Sequence, residues 1–150
     1  MKIKFAKVRD GAKIPTKEKE NLGYDVYADF KTQYMIINPN QVKMIPTGIA
    51  SIIEDGYGVI IKERGSTGSK GLAVRCGVID SNYRGEWFIA LNNTSEKPIV
   101  IAKAEYEEEI EKLLAANYFI FFISRFSFIF HCCLIYHHHD LFHQLVALHM

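Results

Sequence analysis

The chain has 150 residues, 49% of them hydrophobic, enough to bury one substantial core. Its 18 Lys and Arg nearly balance 17 Asp and Glu, so a formal net charge of +1 provides no bulk attraction to nucleic acid or an anionic membrane, and an anionic ligand needs a local site. Cys76, Cys132 and Cys133 follow neither a disulfide framework nor a zinc spacing, which leads to the expectation of a reducing, cytoplasmic setting.

Residues 1–8 alternate polar and apolar side chains and predict a short strand; a signal peptide would need a continuous apolar run. Residues 9–20 are polar, with Gly11 and Pro15, and suit a loop. Residues 21–28 alternate again. Leu22, Tyr24 and Val26 form the apolar face, so Asp25 is expected on the opposite, solvated one. Strand, turn and strand follow over residues 34–53. Asn38-Pro39-Asn40-Gln41 makes the turn, and Pro46 with Gly48 marks a bend or an edge position, because proline cannot donate to a ladder. Glu54-Asp55-Gly56 turns the chain into a further strand over 57–64.

Short strands with turn signals every eight to twelve residues predict a mainly β fold, a barrel or sandwich. One helical period stands out, over residues 104–116. There Tyr106, Ile110, Leu113 and Leu114 fall on one face and acidic residues precede Lys112, predicting an amphipathic helix packed on the surface.

Two stretches carry candidate chemistry. In Arg64-Gly65-Ser66-Thr67-Gly68-Ser69-Lys70-Gly71, three glycines, three hydroxyls and two cations form a loop whose amides can converge while Arg64 clamps an oxyanion. A nucleotide-binding P-loop is excluded, since Lys70 is followed by Gly71 and not by a hydroxyl opening a helix. In Gly77-Val78-Ile79-Asp80-Ser81-Asn82-Tyr83-Arg84-Gly85-Glu86, two β-formers lead to a carboxylate, a Ser-Asn turn and an aromatic ring before the apolar run from Trp87 to Leu91. This predicts a β-hairpin with chemistry at its tip.

Composition changes abruptly after Tyr118. Seven of the ten Phe and all six His lie beyond it. Residues 1–117 are therefore read as one domain and 118–150 as a divergent, apolar, His-rich tail, either a strand completing the barrel or an aberrant, frame-shifted end. Residues 118–136 approach bilayer-spanning length, but Arg125, His131 and the β-branched and aromatic content favour strands over a membrane span. His137, His138, His139 and His143 lack the carboxylate or thiolate spacing that completes a metal site.

Taken together, Leu22-Gly23-Tyr24-Asp25-Val26-Tyr27-Ala28, Arg64 to Leu72 and Gly77 to Glu86 resemble, in order and spacing, three successive motifs of the trimeric dUTPase family. The resemblance covers roughly residues 1–103. It implies a β-barrel or jelly-roll protomer, a homotrimer with sites between subunits, and Mg2+-dependent hydrolysis of dUTP to dUMP and pyrophosphate. On that resemblance Asp80 activates the attacking water, Tyr83 packs on the deoxyribose, and the backbone of Gly77, Val78, Ile79 and Asp80 pairs with uracil. Arg64, Gly65 and Ser66 meet the phosphates, Phe88 joins the substrate site, and Asp25 steadies Mg2+ through water. Gln144, in Asp140-Leu141-Phe142-His143-Gln144-Leu145-Val146, is similar to the phosphate-contacting Gln of the fourth motif.

Three departures stand beside these matches. Gly65 takes a place where the family usually has Ser, Val74 one where Asn is common, and no glycine-rich arm like the family's fifth motif is recognisable. A catalytically silent nucleotide-binding or regulatory protein, and a dCTP deaminase on the same fold, are the alternative readings; the second lacks the Pro-Gly-aromatic that tends to follow the Asp.

Overall fold

A computed structural model describes residues 2–106, 108, 110, 119–123 and 130–135. Its strands, in chain order, are β1 (Ile3–Lys7), β2 (Tyr24–Val26), β3 (Tyr34–Ile37), β4 (Val42–Pro46), β5 (Ile49–Ile53), β6 (Gly58–Lys62), β7 (Leu72–Arg75), β8 (Val78–Asp80), β9 (Phe88–Asn93), β10 (Ile99–Lys103), β11 (Phe119–Ile123) and β12 (Phe130–Ile135). The mainly β expectation holds. One helical turn, α1 (Gly65–Gly68), stands inside the stretch read as a loop.

Four small sheets enclose the core, in the orders β1-β5, β11-β10-β3, β2-β12-β6-β8 and β4-β9-β7. Alternation explains which faces turn inward. On β4, Ile45 is fully buried while Val42 and Met44 are exposed, and on β9 Ile89 and Leu91 lie against the same interior. Trp87, wholly buried, meets Phe5 edge to face at 5.6 Å, and Phe5 meets Tyr24 in the same manner. β4 ends at Pro46 on a sheet edge, as the missing N–H requires, and Gly48 turns the chain into β5 with φ +66°.

Two strands come from residues after 118. β11 pairs with β10 in parallel, Ile99 opposite Phe119, and parallel neighbours require a crossover between them. The chain between them runs from residue 104 to residue 118. It begins as a 3-10 turn at Ala104–Tyr106, and Glu108 and Ile110 are helical, with Ile110 buried against Val100 and Ala102. The remainder of the expected helix lies outside the described residues. β12 stands between β2 and β6 and pairs with both, so it holds the middle of that sheet together. Among the described residues no helix is long and apolar enough to cross a membrane.

The expected hairpin over residues 77–91 does not form. β8 pairs with β6, whereas β9 pairs with β4 and β7 in a different sheet. The reason is the pull on the returning limb. Trp87 donates its amide to the Ile49 carbonyl at 2.8 Å and buries its indole completely, drawing the chain across the core instead of back along β8.

Candidate active site

Gly77 starts the segment because only glycine fits. A Cβ there would lie 2.5 Å from the Ile61 carbonyl oxygen, so the close approach that brings β8 onto β6 needs a bare Cα. The Ile61 amide in turn donates to the Gly77 carbonyl at 2.7 Å. Val78 and Asp80 then face outward and Ile79 is buried, the alternation of a half-exposed strand. β8 is the edge of its sheet, so its outer side carries backbone donors and acceptors with no ladder partner among the described strands. Asp80 closes the strand with its carboxylate exposed.

A turn follows at once. The Tyr83 amide donates to the Asp80 carbonyl at 3.1 Å, and Arg84 donates to the carbonyls of Ser81 and Tyr83. The Tyr83 ring, 43% exposed, folds back so that its hydroxyl donates to the Glu86 carbonyl at 2.9 Å. Gly85 permits this, because a Cβ at that position would stand 2.6 Å from the Tyr83 hydroxyl oxygen. Phe88, 40% exposed, stands where the chain enters β9.

The second cluster sits past the end of β6. The Arg64 carbonyl accepts the amides of Thr67 at 3.1 Å and Gly68 at 2.8 Å, and the Thr67 hydroxyl at 3.0 Å, which closes α1 on itself. Gly65 and Ser66 lie exposed on that turn and Arg64 is half-buried. A Cβ on Gly65 would meet nothing within 4 Å, so packing does not exclude the Ser expected there by resemblance. Glu63 braces the turn. Its Oε2 accepts the Val74 amide at 3.1 Å, and Lys62 Nζ lies 3.6 Å from its Oε1. Burial pushes the Glu63 carboxyl up, but the amides of Glu63 and Val74 together with Lys62 outweigh it and hold the group below its ordinary 4.5.

Asp25 corrects an expectation. It is 7% exposed and not solvated, whereas Leu22 on the supposedly inward face is 80% exposed. β2 is an interior strand and not a solvated edge: the Thr16 and Asp25 backbones exchange hydrogen bonds at 2.6 and 3.1 Å on one side of it, and β12 pairs with its other side.

Register separates these groups into two ends of one sheet. Asp25 is level with His131 and Lys62, next to the Arg64 turn, while Asp80 is level with Gly58 at the other end of β6. Three strand spacings and four residues of rise part the backbone positions of Asp25 and Asp80, roughly 14 Å across and 13 Å along the sheet. Gln144, like the His cluster, lies outside the described residues. A cavity of about 740 Å³ opens elsewhere, lined by Arg9, Asp10, Gly11, Asp29, Phe30, Lys31 and Lys103, and contains no candidate site residue.

A family model described as dUTPase matches residues 10–106. The chain belongs to the dUTPase family. A deoxyuridine 5'-triphosphate nucleotidohydrolase of Nautilia profundicola is 39% identical over 109 residues, covering 70% of this chain and 75% of that protein. Its namesake in Desulfitobacterium hafniense is 37% identical over 108 residues, with 67% and 71% covered. Among solved structures, a mutant dUTPase from phage phi11 of S. aureus superposes with a TM-score of 0.66 at 21% identity over 91% of each chain, which shows the shared fold. The Staphylococcus bacteriophage 80alpha dUTPase solved with dUpNHpp gives 0.57 at 26% identity, over 64% of this chain and 56% of that one.

Within this dUTPase-family fold, the described residues of the first three motifs fall at the two ends of the sheet just described, and Gln144 of the fourth lies outside the described residues. Sequence reasoning missed the residues that brace them. Arg9 and Glu86 are joined across 77 positions, a distance no spacing rule spans. Glu63 is adjacent to Arg64, yet only the fold brings Val74 to it.

Proposed function

We propose that this dUTPase-family chain hydrolyses dUTP to dUMP and pyrophosphate, a reaction of nucleotide metabolism that limits uracil in DNA. The observation that carries the reading is β8 itself: a strand edge open along 78–80 that ends in the exposed Asp80 carboxylate, with Tyr83 one turn away. An open edge offers alternating amide and carbonyl groups to the pairing edge of a uracil, and the tightness of a backbone partner rejects the cytosine amine and the thymine methyl. Tyr83 walls off the 2' position of the sugar, and Phe88 flanks it. Asp80 takes the proton of the attacking water. Arg64, with Gly65 and Ser66, holds the phosphates, and its planar fork neutralises the charge that spreads over their oxygens.

Among the described residues no group of three or more His, Cys, Asp or Glu side chains forms a metal cage. That fits a Mg2+ ion carried by the triphosphate and met by protein through water, the mode this hard, strongly hydrated cation prefers. The phi11 phage dUTPase is described as coordinating a structural Mg(II) ion. Here Asp25, at the Arg64 end of the sheet, is the carboxylate that would steady such an ion, which supplies charge neutralisation on the phosphates when bound.

The separation of Asp80 from Arg64 and Asp25 supports sites completed between copies of the chain in a homotrimer. Residues 118–150 join residues 1–117 through β11 and β12 in this reading, and Gln144 adds a phosphate contact.

Pyrophosphate release from dUTP, measured beside dCTP, dTTP and UTP with added Mg2+, tests the function. Turnover confined to dUTP is the expected outcome. Equal turnover of all four, or ammonia release from dCTP, defeats the assignment.

A further inference from the structure

Arg9 precedes all three motifs, yet its guanidinium joins three pieces of the molecule. Nη2 donates to Glu86 Oε2 at 2.7 Å, Nη1 donates to the Asp29 carbonyl at 3.3 Å, and the guanidinium carbon stands 5.9 Å from the centre of the Phe88 ring. Glu86 is held from a second side, since its Oε1 accepts the Gly48 amide at 2.9 Å. Its own carbonyl is the acceptor for the Tyr83 hydroxyl, and the next amide, that of Trp87, is committed to Ile49. Tyr83, Glu86 and Phe88 are thus tied to one anchor that lies outside their own loop.

The pair is placed where it matters energetically. Its side chains are 35% and 15% exposed, so the charge-assisted bond is only partly screened, and removing Arg9 would leave a shielded carboxylate with the Gly48 amide as its remaining donor in this network. Tyr83 itself is 43% exposed, and a ring so open has little packing of its own to hold it. Rejecting a ribose by steric contact requires a wall that does not yield, because a displacement of about 1 Å is enough to admit one hydroxyl.

We infer that Arg9 and Glu86 are positioning residues that fix the Tyr83–Phe88 wall and thereby set the preference for deoxyribose over ribose nucleotides. The inference rests on the reading of Tyr83 as the sugar-discriminating wall.

The experiment compares kcat/KM for dUTP and for UTP in the full-length chain carrying Arg9→Met, Arg9→Lys, Glu86→Ala or Tyr83→Ala. General loosening of the fold lowers both values together, whereas a displaced wall changes their ratio. Arg9→Met and Glu86→Ala are each expected to lower the dUTP-to-UTP ratio about ten-fold or more, with UTP turnover rising. Arg9→Lys should fall between, since one ammonium cannot serve Glu86 and Asp29 in the fork geometry of a guanidinium. The double variant Arg9→Met with Glu86→Ala should lose no more than either alone, the mark of one coupled unit. A ratio unchanged within about two-fold in the folded Arg9 variants overturns the inference; if Arg9→Met does not fold, the Arg9→Lys ratio decides by the same criterion. If Tyr83→Ala also leaves the ratio unchanged, the sugar-wall reading fails instead.

Discussion

Gly77 and Ile61 touch backbone to backbone: a Cβ on Gly77 would stand 2.5 Å from the Ile61 carbonyl oxygen and 3.3 Å from Val74 Cγ1. This contact sets how closely β8 lies on β6, and so where its open edge and Asp80 are presented.

Gly77→Ala is therefore expected to destabilise the protein by about 1–3 kcal/mol, the usual range for forcing a methyl into filled space. The clash is with backbone and cannot be relieved by a rotamer change, so β8 must shift and affinity for a dUTP analogue should fall as well. Chemical denaturation and calorimetric titration check the two effects. A variant with wild-type stability and affinity would show that the contact is not limiting.

Asp80→Asn keeps the shape of the strand end and removes the carboxylate proposed as the base. Turnover should drop by about 100- to 10,000-fold, the span a positioned general base supplies, while Kd for a non-hydrolysable dUTP analogue stays within about three-fold. Loss of binding in parallel with turnover would reassign Asp80 to substrate binding.

Mixing two inactive variants tests whether sites are shared. If Asp80 of one copy works with Arg64 of another, Asp80→Asn and Arg64→Ala chains, unfolded and refolded together, should recover roughly a quarter of wild-type activity through sites that inherit both intact groups from different copies. Light scattering of the mixture should report trimers. No recovery in mixed trimers would place both groups of a working site on one chain.

Glu63 makes a pH prediction. Its folded-state carboxyl is held below its ordinary 4.5, so the ionised form stabilises the native state; that contribution is complete above about 4.5 and is lost as pH falls through the lower folded value. The Tm difference between wild type and Glu63→Gln should be constant from pH 6 to 8 and shrink in acid. Carboxylates elsewhere titrate in both proteins and cancel. A difference independent of pH would mean the carboxylate contributes packing and not charge.

Asp25 and Trp87 show where reading from sequence stopped. Leu22, Tyr24 and Val26 alternate correctly for a strand, and the strand is there, but alternation reports only that two faces differ. It does not reveal that Thr16 and β12 pair with the two edges of β2 and make it an interior strand, on which Asp25 is buried as well. At Trp87, an apolar run after a Ser-Asn turn is the local signature of a hairpin, and the turn itself forms between Asp80 and Tyr83. The ladder partner was decided by burial of the indole in a core contributed by distant strands.

The sequence alone determined the mainly β architecture, the turn positions at Asn38 to Gln41 and Glu54 to Gly56, and the chemistry available at Arg64, Asp80 and Tyr83, because strand period, turn conformation and side-chain type are local properties. The tertiary structure alone decided that β8 joins β6 and not β9, that a strand from beyond residue 118 lies between β2 and β6, and that Arg9 reaches Glu86. Those outcomes depend on which distant segments compete best for the same buried surface and the same backbone edges, and a periodicity within one segment carries no information about its partner.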